Sequence, residues 1–448
     1  MKIPEIPRPY HDIFNDKIIK DPAITKDRAV SDCVKQFNEQ YLHWDEVRRK
    51  EVPQDPEIIW ALMKMSREGQ SRHAVFLDIS LTYNTTSESQ KIMHMLDTTA
   101  SGLLVLEEPL KDPEMKRYVI SSLMEEAIAS SQLEGAVTTT KVAKQMLRTN
   151  RKPRTPSERM IMNDYFTMKR VKEIMDQPCT VELILQLHEL ITYKTLDDPS
   201  DSGRFRTDDE TVVADPLEID KVYHQPPSHE KIPGYMEELC RFINDGSGSE
   251  FQHPLIKAII LHFMIGYVHP FVDGNGRLAR ALMYWYALKS NYWLFEHMAI
   301  SKVIKEHRGK YGTAYLYAET DERDITYFIN FNLKCMEEAL SNTRRYIRRK
   351  QQEQRTAMKM VESHPELNFR QAEILRDMIK DRGGPVSVRE IASKFNVVHQ
   401  TARTDLLSLF ERGFIERRKV GNKLFFLYTG VSSLNDRDRD RLSNDRKE

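Results

Sequence analysis

Apolar residues recur at helical spacing along most of the chain. This spacing predicts helices over residues 58–70, 113–148, 158–175, 181–193, 234–243 and 254–288. Segment 203–233 interrupts the helical pattern, because short β-type runs at 211–213 and 221–224 are separated by turn residues. The pattern therefore predicts a mainly α fold that carries a β-hairpin.

The pattern changes again toward the end of the sequence. A charged segment at 341–368 has the composition of a connecting helix or linker. After it come a helix at 369–380, a short extended stretch, a helix at 398–411 and a hairpin that turns at Gly421 and Asn422. This order predicts a small winged helix-turn-helix domain, with 398–411 in the position of the recognition helix.

The predicted organisation follows from these changes of pattern. It consists of an N-terminal helical region (1–112), a main domain (113–340), the connecting segment (341–368), the winged-helix domain (369–430) and a disordered tail (431–448).

The composition limits the possible partners and the cellular location of the protein. The 448 residues carry 67 Lys and Arg against 67 Asp and Glu, so a nucleic-acid partner would need a local basic patch. The four cysteines are widely spaced without a CxxC pair, which indicates reduced thiols. The most apolar window, 255–268, is too short to span a membrane, and the first residues lack a signal-peptide pattern. We therefore expect a soluble, cytoplasmic protein without a membrane partner.

The candidate chemistry is concentrated in the sequence HPFVDGNGRLAR at 269–280. His269 follows a buried helix and is of the residue type that serves as a general base. Asp273 is a suitable Mg²⁺ ligand, and the Gly-Asn-Gly turn opens onto a helix N-terminus that offers N–H groups to an anion. Arg277 and Arg280 are three residues apart and can face the same anion. Each feature alone is typical of an ordinary helix-turn-helix, but together they predict phosphoryl or nucleotidyl transfer.

This stretch resembles the Fic family signature, HxFx(D/E)GNGRxxR, at every specified position. The resemblance implies an all-helical fold that transfers AMP from ATP, with Mg²⁺, to a hydroxyl side chain of a target protein. It also implies that His269 is the base, that Asp273 holds Mg²⁺ and that Phe271 anchors the loop. The residues it assigns to the ATP phosphates are Gly274, Asn275, Gly276, Arg277 and Arg280, the last at the γ-phosphate.

Two other segments extend the likeness. The sequence at 203–206 and the run Val222, Tyr223 and His224 resemble the family's flap, which holds a target segment by strand pairing. Tyr311 matches part of a segment that lies near the adenine in the family, so the resemblance implies that Tyr311 contacts ATP.

An upstream segment, SSQLEGA at 130–136, places weak helix formers inside a predicted helix. It resembles the family's inhibitory pattern (S/T)xxxE(G/N), which Ser130, Glu134 and Gly135 match. The resemblance implies that Glu134 pairs with Arg280 and excludes the γ-phosphate. Because a partly buried Arg–carboxylate pair is strong, it can compete with ATP for that arginine. We therefore expect a self-inhibited enzyme.

Alternatives stay open for the chemistry and the partners. The same pocket could transfer UMP or phosphate, could remove AMP, or could sense a nucleotide for a DNA-binding regulator. The presence of His269 favours transfer, since a sensor needs no base. The C-terminal domain is locally basic and is expected to bind DNA or RNA or to form a homodimer. Its basic residues are Arg389, Lys394, Arg403, Arg417, Arg418, Lys419 and Lys423.

Overall fold

Helices account for most of the structure, as the apolar spacing predicts. The structure is a computed structural model that describes residues 2–100, 112–214, 221–244, 251–364, 366–380, 386–420 and 423–428. The chain divides into two units, Met1–Thr343 and Arg344–Glu448, and the division falls inside a long helix.

The first unit contains α1 (Tyr10–Ile13), α2 (Arg28–Gln40), α3 (Trp44–Val47), α4 (Pro56–Glu68), α5 (Ser87–Ala100), α6 (Asp112–Leu133), α7 (Thr140–Arg148), α8 (Pro156–Glu173), α9 (Val181–Thr192), α10 (Ile232–Asn244), α11 (Pro254–Val268), α12 (Asn275–Lys289), α13 (Ile300–Glu306), α14 (Arg308–Thr320) and the start of α15 (Thr326–Ser363). Its strands are β1 (Arg72–Phe76), β2 (Ile79–Tyr83), β3 (Val213–Ala214) and β4 (Val222–His224). No helix among the residues described above is long and apolar enough to cross a membrane.

The N-terminal region is not entirely helical. Strands β1 and β2 form an antiparallel hairpin in which Arg72 faces Tyr83 and Phe76 faces Ile79. In β2 buried residues alternate with less buried ones, which is the period-2 pattern of a half-buried strand. The predicted N-terminal helical region (1–112) therefore also contains a β-hairpin. Its alternation of buried and less buried positions is short and is hard to separate from the helical pattern around it.

Helix α11 lies in the centre of the first unit. Every residue from 255 to 265 is buried, as expected for a helix that is apolar on nearly all of its faces. Pro254 occupies the first turn, and the side chain of His253 caps the helix by accepting a hydrogen bond from the Leu255 N–H. The buried helix fixes where its C-terminal end, and the loop that follows, must lie.

The end of α6 differs from the prediction of one helix over 113–148. Helix α6 stops at Leu133, and Glu134 and Gly135 form a turn. Gly135 has a φ of 93°, a conformation that glycine adopts without steric cost, and the Ala136 N–H donates to the Ser131 carbonyl at 3.0 Å. Gly135 is therefore a helix terminator rather than a mid-helix residue, and Glu134 projects from a helix end.

The second unit has its own small core. It contains α16 (Phe369–Lys380), β5 (Val386–Ser387), α17 (Val388–Phe395), α18 (His399–Glu411), β6 (Ile415–Val420) and β7 (Lys423–Tyr428), with strand order β5-β7-β6. Asn396, in the left-handed conformation, turns the chain between α17 and α18. The elements of this unit therefore follow one another as helix, strand, helix, helix and two strands. The turn at Gly421 and Asn422 and the tail at 431–448 lie outside the described residues.

Candidate active site

The loop between α11 and α12 is held by its own side chains. Phe271 is fully buried and stacks on His188 of α9, with ring centroids 3.7 Å apart. Asn275 Oδ1 accepts from the Phe271 backbone N–H at 3.0 Å, and Asn275 Nδ2 donates to the Phe271 carbonyl at 2.7 Å. Gly274 has a φ of 88°, and a Cβ there would lie 2.9 Å from Thr192 Cγ2. The Asn275 side chain thus closes the loop, which leaves the backbone of the turn to face a ligand.

His269 is the first residue after α11 and adopts the left-handed conformation, with a φ of 49°. Its Nδ1 lies 3.2 Å from the Gly266 carbonyl, an acceptor, so the ring proton belongs on Nδ1 and the lone pair on Nε2. Burial lowers the pKa of the imidazole to about 4, so the ring is neutral at neutral pH. Nε2 is therefore free to take a proton. Arg206 Nε donates to the His269 carbonyl at 3.0 Å and fixes the residue in place.

Arg277 and Arg280, near the start of α12, are 0% and 1% exposed. Arg277 donates to the Ile191 carbonyl at 2.9 Å and to Asp273 Oδ2 at 3.3 Å. Arg280 donates from Nε and Nη2 to the hydroxyl and carbonyl of Ser130, at 3.1 and 3.0 Å. Within the described part of the chain, Arg277 Nε and Arg280 Nη1 are buried without a hydrogen-bond partner. Buried cationic donors without partners favour the binding of an anion such as phosphate.

Glu134 lies against the glycine turn. Its Oε1 accepts from Arg280 Nη2 at 2.9 Å, and a Cβ on Gly276 would overlap the same carboxylate. Burial alone would raise the pKa of Glu134, but the charge of Arg280 and its hydrogen bond outweigh burial and lower it. The contact is therefore an ion pair, with the glutamate side chain 31% exposed and the arginine 1% exposed. Of the predicted inhibitory residues, Glu134 and Ser130 both contact Arg280.

Asp273 stands at the mouth of the site, with its side chain 55% exposed. Its Oδ1 accepts from the Gly274 N–H at 2.6 Å, and Oδ2 faces Arg277 Nη2. The residues that the structure describes include no group of three or more His, Cys, Asp or Glu that could hold a metal ion. One accessible carboxylate suits Mg²⁺ that takes its other ligands from phosphates and water. Asp273 therefore fits a metal that arrives together with a nucleotide.

The predicted flap is the antiparallel pair β3–β4, and the segment between the two strands lies outside the described residues. Val222 is 40% exposed, and Tyr223 is half-buried. His224 ties β4 to the helices: Nε2 lies 2.7 Å from the Tyr267 carbonyl, and Nδ1 lies 3.0 Å from Glu319 Oε1. These two contacts join β4 to α11 and to α14.

Tyr311, on α14, is half-buried, and its hydroxyl lies 2.9 Å from Nε2 of His262. Burial raises the pKa of Tyr311, and the charge of Arg280 acts against that increase. The tyrosine is therefore close enough to the second motif arginine for the charge of Arg280 to influence its pKa.

Three further residues support the site, and of these the sequence marks only Arg206, as part of the flap segment at 203–206. His188 Nδ1 accepts from the Gly203 N–H at 3.0 Å, and Nε2 lies 2.8 Å from the Asp273 carbonyl, which joins the base of the flap to the motif loop. Arg206 is 3% exposed and links the same two segments. Asp164 of α8 accepts from Ser131 at 3.2 Å. His188 and Asp164 lie far from the motif in the sequence, so no local pattern marks either of them.

Fold and site together define a helical domain with a buried loop and two buried arginines at its centre. Residues 178–287, which include the whole motif at 269–280, match the Fic/DOC family. Over 163 residues, 36% of this chain, it is 29% identical to the protein named Protein adenylyltransferase Fic of Drosophila ananassae. The protein of the same name from Drosophila melanogaster is 30% identical over 163 residues.

The matched part of the chain spans 28% and 29% of the length of these two curated relatives. Among solved structures, Fic-1 (aa134 - 508) from C. elegans matches with a TM-score of 0.50 at 16% sequence identity. That match covers 71% of this chain and 84% of the other, and it establishes a common fold.

Proposed function

We propose that the chain is a self-inhibited protein adenylyltransferase, which transfers AMP from ATP to a hydroxyl side chain of a target protein or of itself. The main support is the ion pair between Glu134 and Arg280, which lies against Gly276 in the turn that follows His269. The names of the curated relatives support the same class of reaction.

In the proposed reaction, His269 Nε2 takes the proton of the target hydroxyl. The hydroxyl oxygen forms a bond to the α-phosphorus of ATP, and the bond from that phosphorus to the bridging β-oxygen breaks, so that pyrophosphate leaves. A neutral imidazole with its proton on Nδ1 is the form that can accept this proton. The buried arginines and the N–H groups of the turn would stabilise the charge on the phosphates.

Magnesium is part of this proposal through Asp273. Its exposed carboxylate would hold the ion at the mouth of the site. When bound, Mg²⁺ neutralises phosphate charge. Asp273 Oδ2 also faces Arg277, so the same carboxylate would orient this arginine toward the phosphates.

The proposed inhibition follows from competition for one guanidinium. As long as Glu134 accepts from Arg280 Nη2 and fills the space next to Gly276, the terminal phosphate of ATP has neither this hydrogen-bond donor nor enough space. ATP would then bind weakly or with its α-phosphorus out of line with the target oxygen, and either fault lowers the rate steeply.

The target would be held by the flap. Val222 is exposed on β4, and strand β4 pairs with β3 on one side in a sheet of two strands. An extended target segment could add to an edge of this pair through main-chain hydrogen bonds. His224, which binds the Tyr267 carbonyl and Glu319, would keep the edge close to His269.

Labelled nucleotides test the reaction. The Glu134→Gly protein should become labelled by ATP that carries the label on the α-phosphate and should stay unlabelled by γ-labelled ATP. Mass analysis of tryptic peptides should then show AMP on Ser, Thr or Tyr. Label from γ-labelled ATP alone would indicate phosphate transfer, and stronger labelling by UTP would indicate another nucleotidyl group.

We propose a second function for the C-terminal unit, the binding of duplex DNA through α18. The helix buries Ala402, Leu406 and Leu409, while Gln400 and Arg403 are exposed. A helix with one apolar and one polar face, placed after a short turn, is suited to the major groove. Exposed Arg417 and Arg418 on β6 would add phosphate contacts, whereas the side chains of Lys419 and Lys423 lie outside the described set.

Fluorescence anisotropy with a labelled 20-base-pair duplex tests this second function. Binding should weaken as salt is added and should weaken further in Arg403→Ala. Arg412→Ala, which removes a charge from the other end of α18, is the matched control and should have a smaller effect. Self-association of the protein without DNA binding would favour a homodimer instead.

A further inference from the structure

Two of the four cysteines meet inside the first unit. Cys179 precedes α9 and Cys240 lies on α10, 61 residues further along the chain, yet their Sγ atoms are only 3.6 Å apart. The two residues are 2% and 7% exposed, and both are free thiols. Because the sequence contains no CxxC pair, it is the fold that brings these two thiols together.

Asn244 holds the backbone of Cys179 in place beside α10. The Cys179 N–H donates to Asn244 Oδ1 at 2.8 Å, and Asn244 Nδ2 donates to the Cys179 carbonyl at 2.7 Å. Asn244 lies four residues after Cys240 on the same helix, and residues four apart share a helix face. The side chain that binds Cys179 therefore also keeps it opposite Cys240.

The two thiols differ in their surroundings. A disulfide holds its sulfurs about 2.0 Å apart, so each sulfur needs to move by less than about 1 Å to form one. Cys179 Sγ donates to Cys240 Sγ, and this contact lowers the pKa of the Cys240 thiol, while burial acts against the decrease. Cys240 is also the more exposed of the two, so an oxidant would reach it first.

We propose that Cys179 and Cys240 form a reversible disulfide, with Cys240 as the attacking thiol and a small disulfide, such as oxidised glutathione, as the oxidant. The Cys240 thiolate attacks one sulfur of the oxidant, whose sulfur–sulfur bond breaks and releases one reduced glutathione. The Cys179 thiolate then attacks Cys240 Sγ and displaces the second glutathione. The two protons that the protein thiols lose end on the two released thiols. This proposal does not depend on the transfer of AMP.

The test treats the folded, full-length protein with oxidised glutathione at neutral pH, blocks the remaining thiols with iodoacetamide and digests the product with trypsin. Cys179 and Cys240 lie in different tryptic peptides, 173–194 and 232–241, so mass analysis shows the disulfide as a link between them. We expect this link in most chains, and dithiothreitol should remove it. The Tm should rise by a few degrees on oxidation, because the link closes a long loop of the unfolded chain.

Single substitutions test the order of attack. Cys179→Ser should keep glutathione on Cys240 as a mixed disulfide, because the thiol that would displace it is missing. Cys240→Ser should leave Cys179 unmodified, since Cys179 is the more buried of the two. Cys335→Ser is the matched control: Cys335 is 2% exposed, as Cys179 is, and its loss should not change the link.

Folded wild-type protein without a link between peptides 173–194 and 232–241 would overturn the proposal. A link that forms only in urea would also overturn it, because the unfolded chain, and not the contact within the fold, would then bring the sulfurs together. Glutathione retained on Cys179 in Cys240→Ser, with none on Cys240 in Cys179→Ser, would overturn the proposed order of attack.

Discussion

The loop after α11 leads to Arg280 on α12, and the turn after α6 carries Glu134, so the ion pair between these residues joins the two segments. The two segments are held in place in opposite ways. The loop is fixed from inside by buried Phe271 and by the two hydrogen bonds of Asn275. The turn after α6 is exposed at Glu134 and Gly135, and a Cβ added to Gly135 would meet nothing within 4 Å. The loop after α11 is part of the buried core, whereas the turn after α6 lies at the protein surface.

This difference determines which segment can move if the contact between Glu134 and Arg280 is inhibitory and reversible. Moving the motif loop would leave backbone groups of Phe271 buried without partners, which costs about 1–3 kcal/mol for each group. Moving Glu134 breaks one ion pair whose carboxylate, 31% exposed, can be solvated by water, while buried Arg280 keeps its two hydrogen bonds to Ser130. The proposed inhibition could therefore be relieved without displacing the loop after α11.

The largest effect is expected from a substitution of His269, in the loop after α11. In the Glu134→Gly protein, His269→Ala should lower the rate of AMP transfer by about 10²–10⁴-fold, because the proton acceptor is lost. Binding of ATP should persist, since the arginines and the turn remain. His73→Ala, an exposed histidine on β1, is the control and should leave the rate unchanged. Labelling by His269→Ala at the parent rate would show that His269 is not the base.

The next effect concerns the turn after α6. Glu134→Gly should raise AMP transfer by at least about tenfold, equivalent to roughly 1.4 kcal/mol, because Arg280 becomes available to the phosphate. The measurement is the initial rate of labelling from α-labelled ATP. Adding Arg280→Ala should remove the gain. Equal rates for the wild type and Glu134→Gly would leave the motif intact and reject the inhibition.

The sequence predicts the contiguous motif better than it predicts the contacts between distant segments. The motif at 269–280 is contiguous, and its chemistry follows from residue types at fixed spacing. Glu134 and Arg280 are 146 residues apart, so only the family resemblance could join them. The sequence predicts Gly135 inside a helix, because glycine and serine mark a helix end and a weak helix-forming position in the same way. His188 and Asp164 act through tertiary contacts, which leave no local pattern.

A smaller effect is expected in the titration of His269. Its pKa in the folded protein is lowered to about 4, below the ordinary value of about 6.5, so the fold favours the neutral ring. Stability from this group is therefore present above the ordinary value and is lost as the pH falls through about 4. NMR of ¹⁵N-labelled imidazoles should show a neutral ring with its proton on Nδ1 at pH 6. Protonation with a midpoint near 6.5 would contradict the buried environment.

The smallest effect should come from removing the second unit. The predicted site residues, from Ser130 to Tyr311, lie within Met1–Thr343, and the large core cluster that surrounds them ends at Leu340. The other unit has a separate cluster that begins at Leu367. Each set of residues therefore has its own apolar core, as expected of units that fold independently.

A chain that ends at Arg348 tests this expectation in the Glu134→Gly background. Its rate of AMP transfer should stay within about twofold of the full-length rate, since neighbouring domains with separate cores need few shared contacts. DNA binding, if α18 provides it, should disappear at the same time. Thermal unfolding followed by circular dichroism should remain a single cooperative transition. Loss of that transition would show that the second unit completes the catalytic core, so that the loop after α11 depends on packing well beyond its own unit.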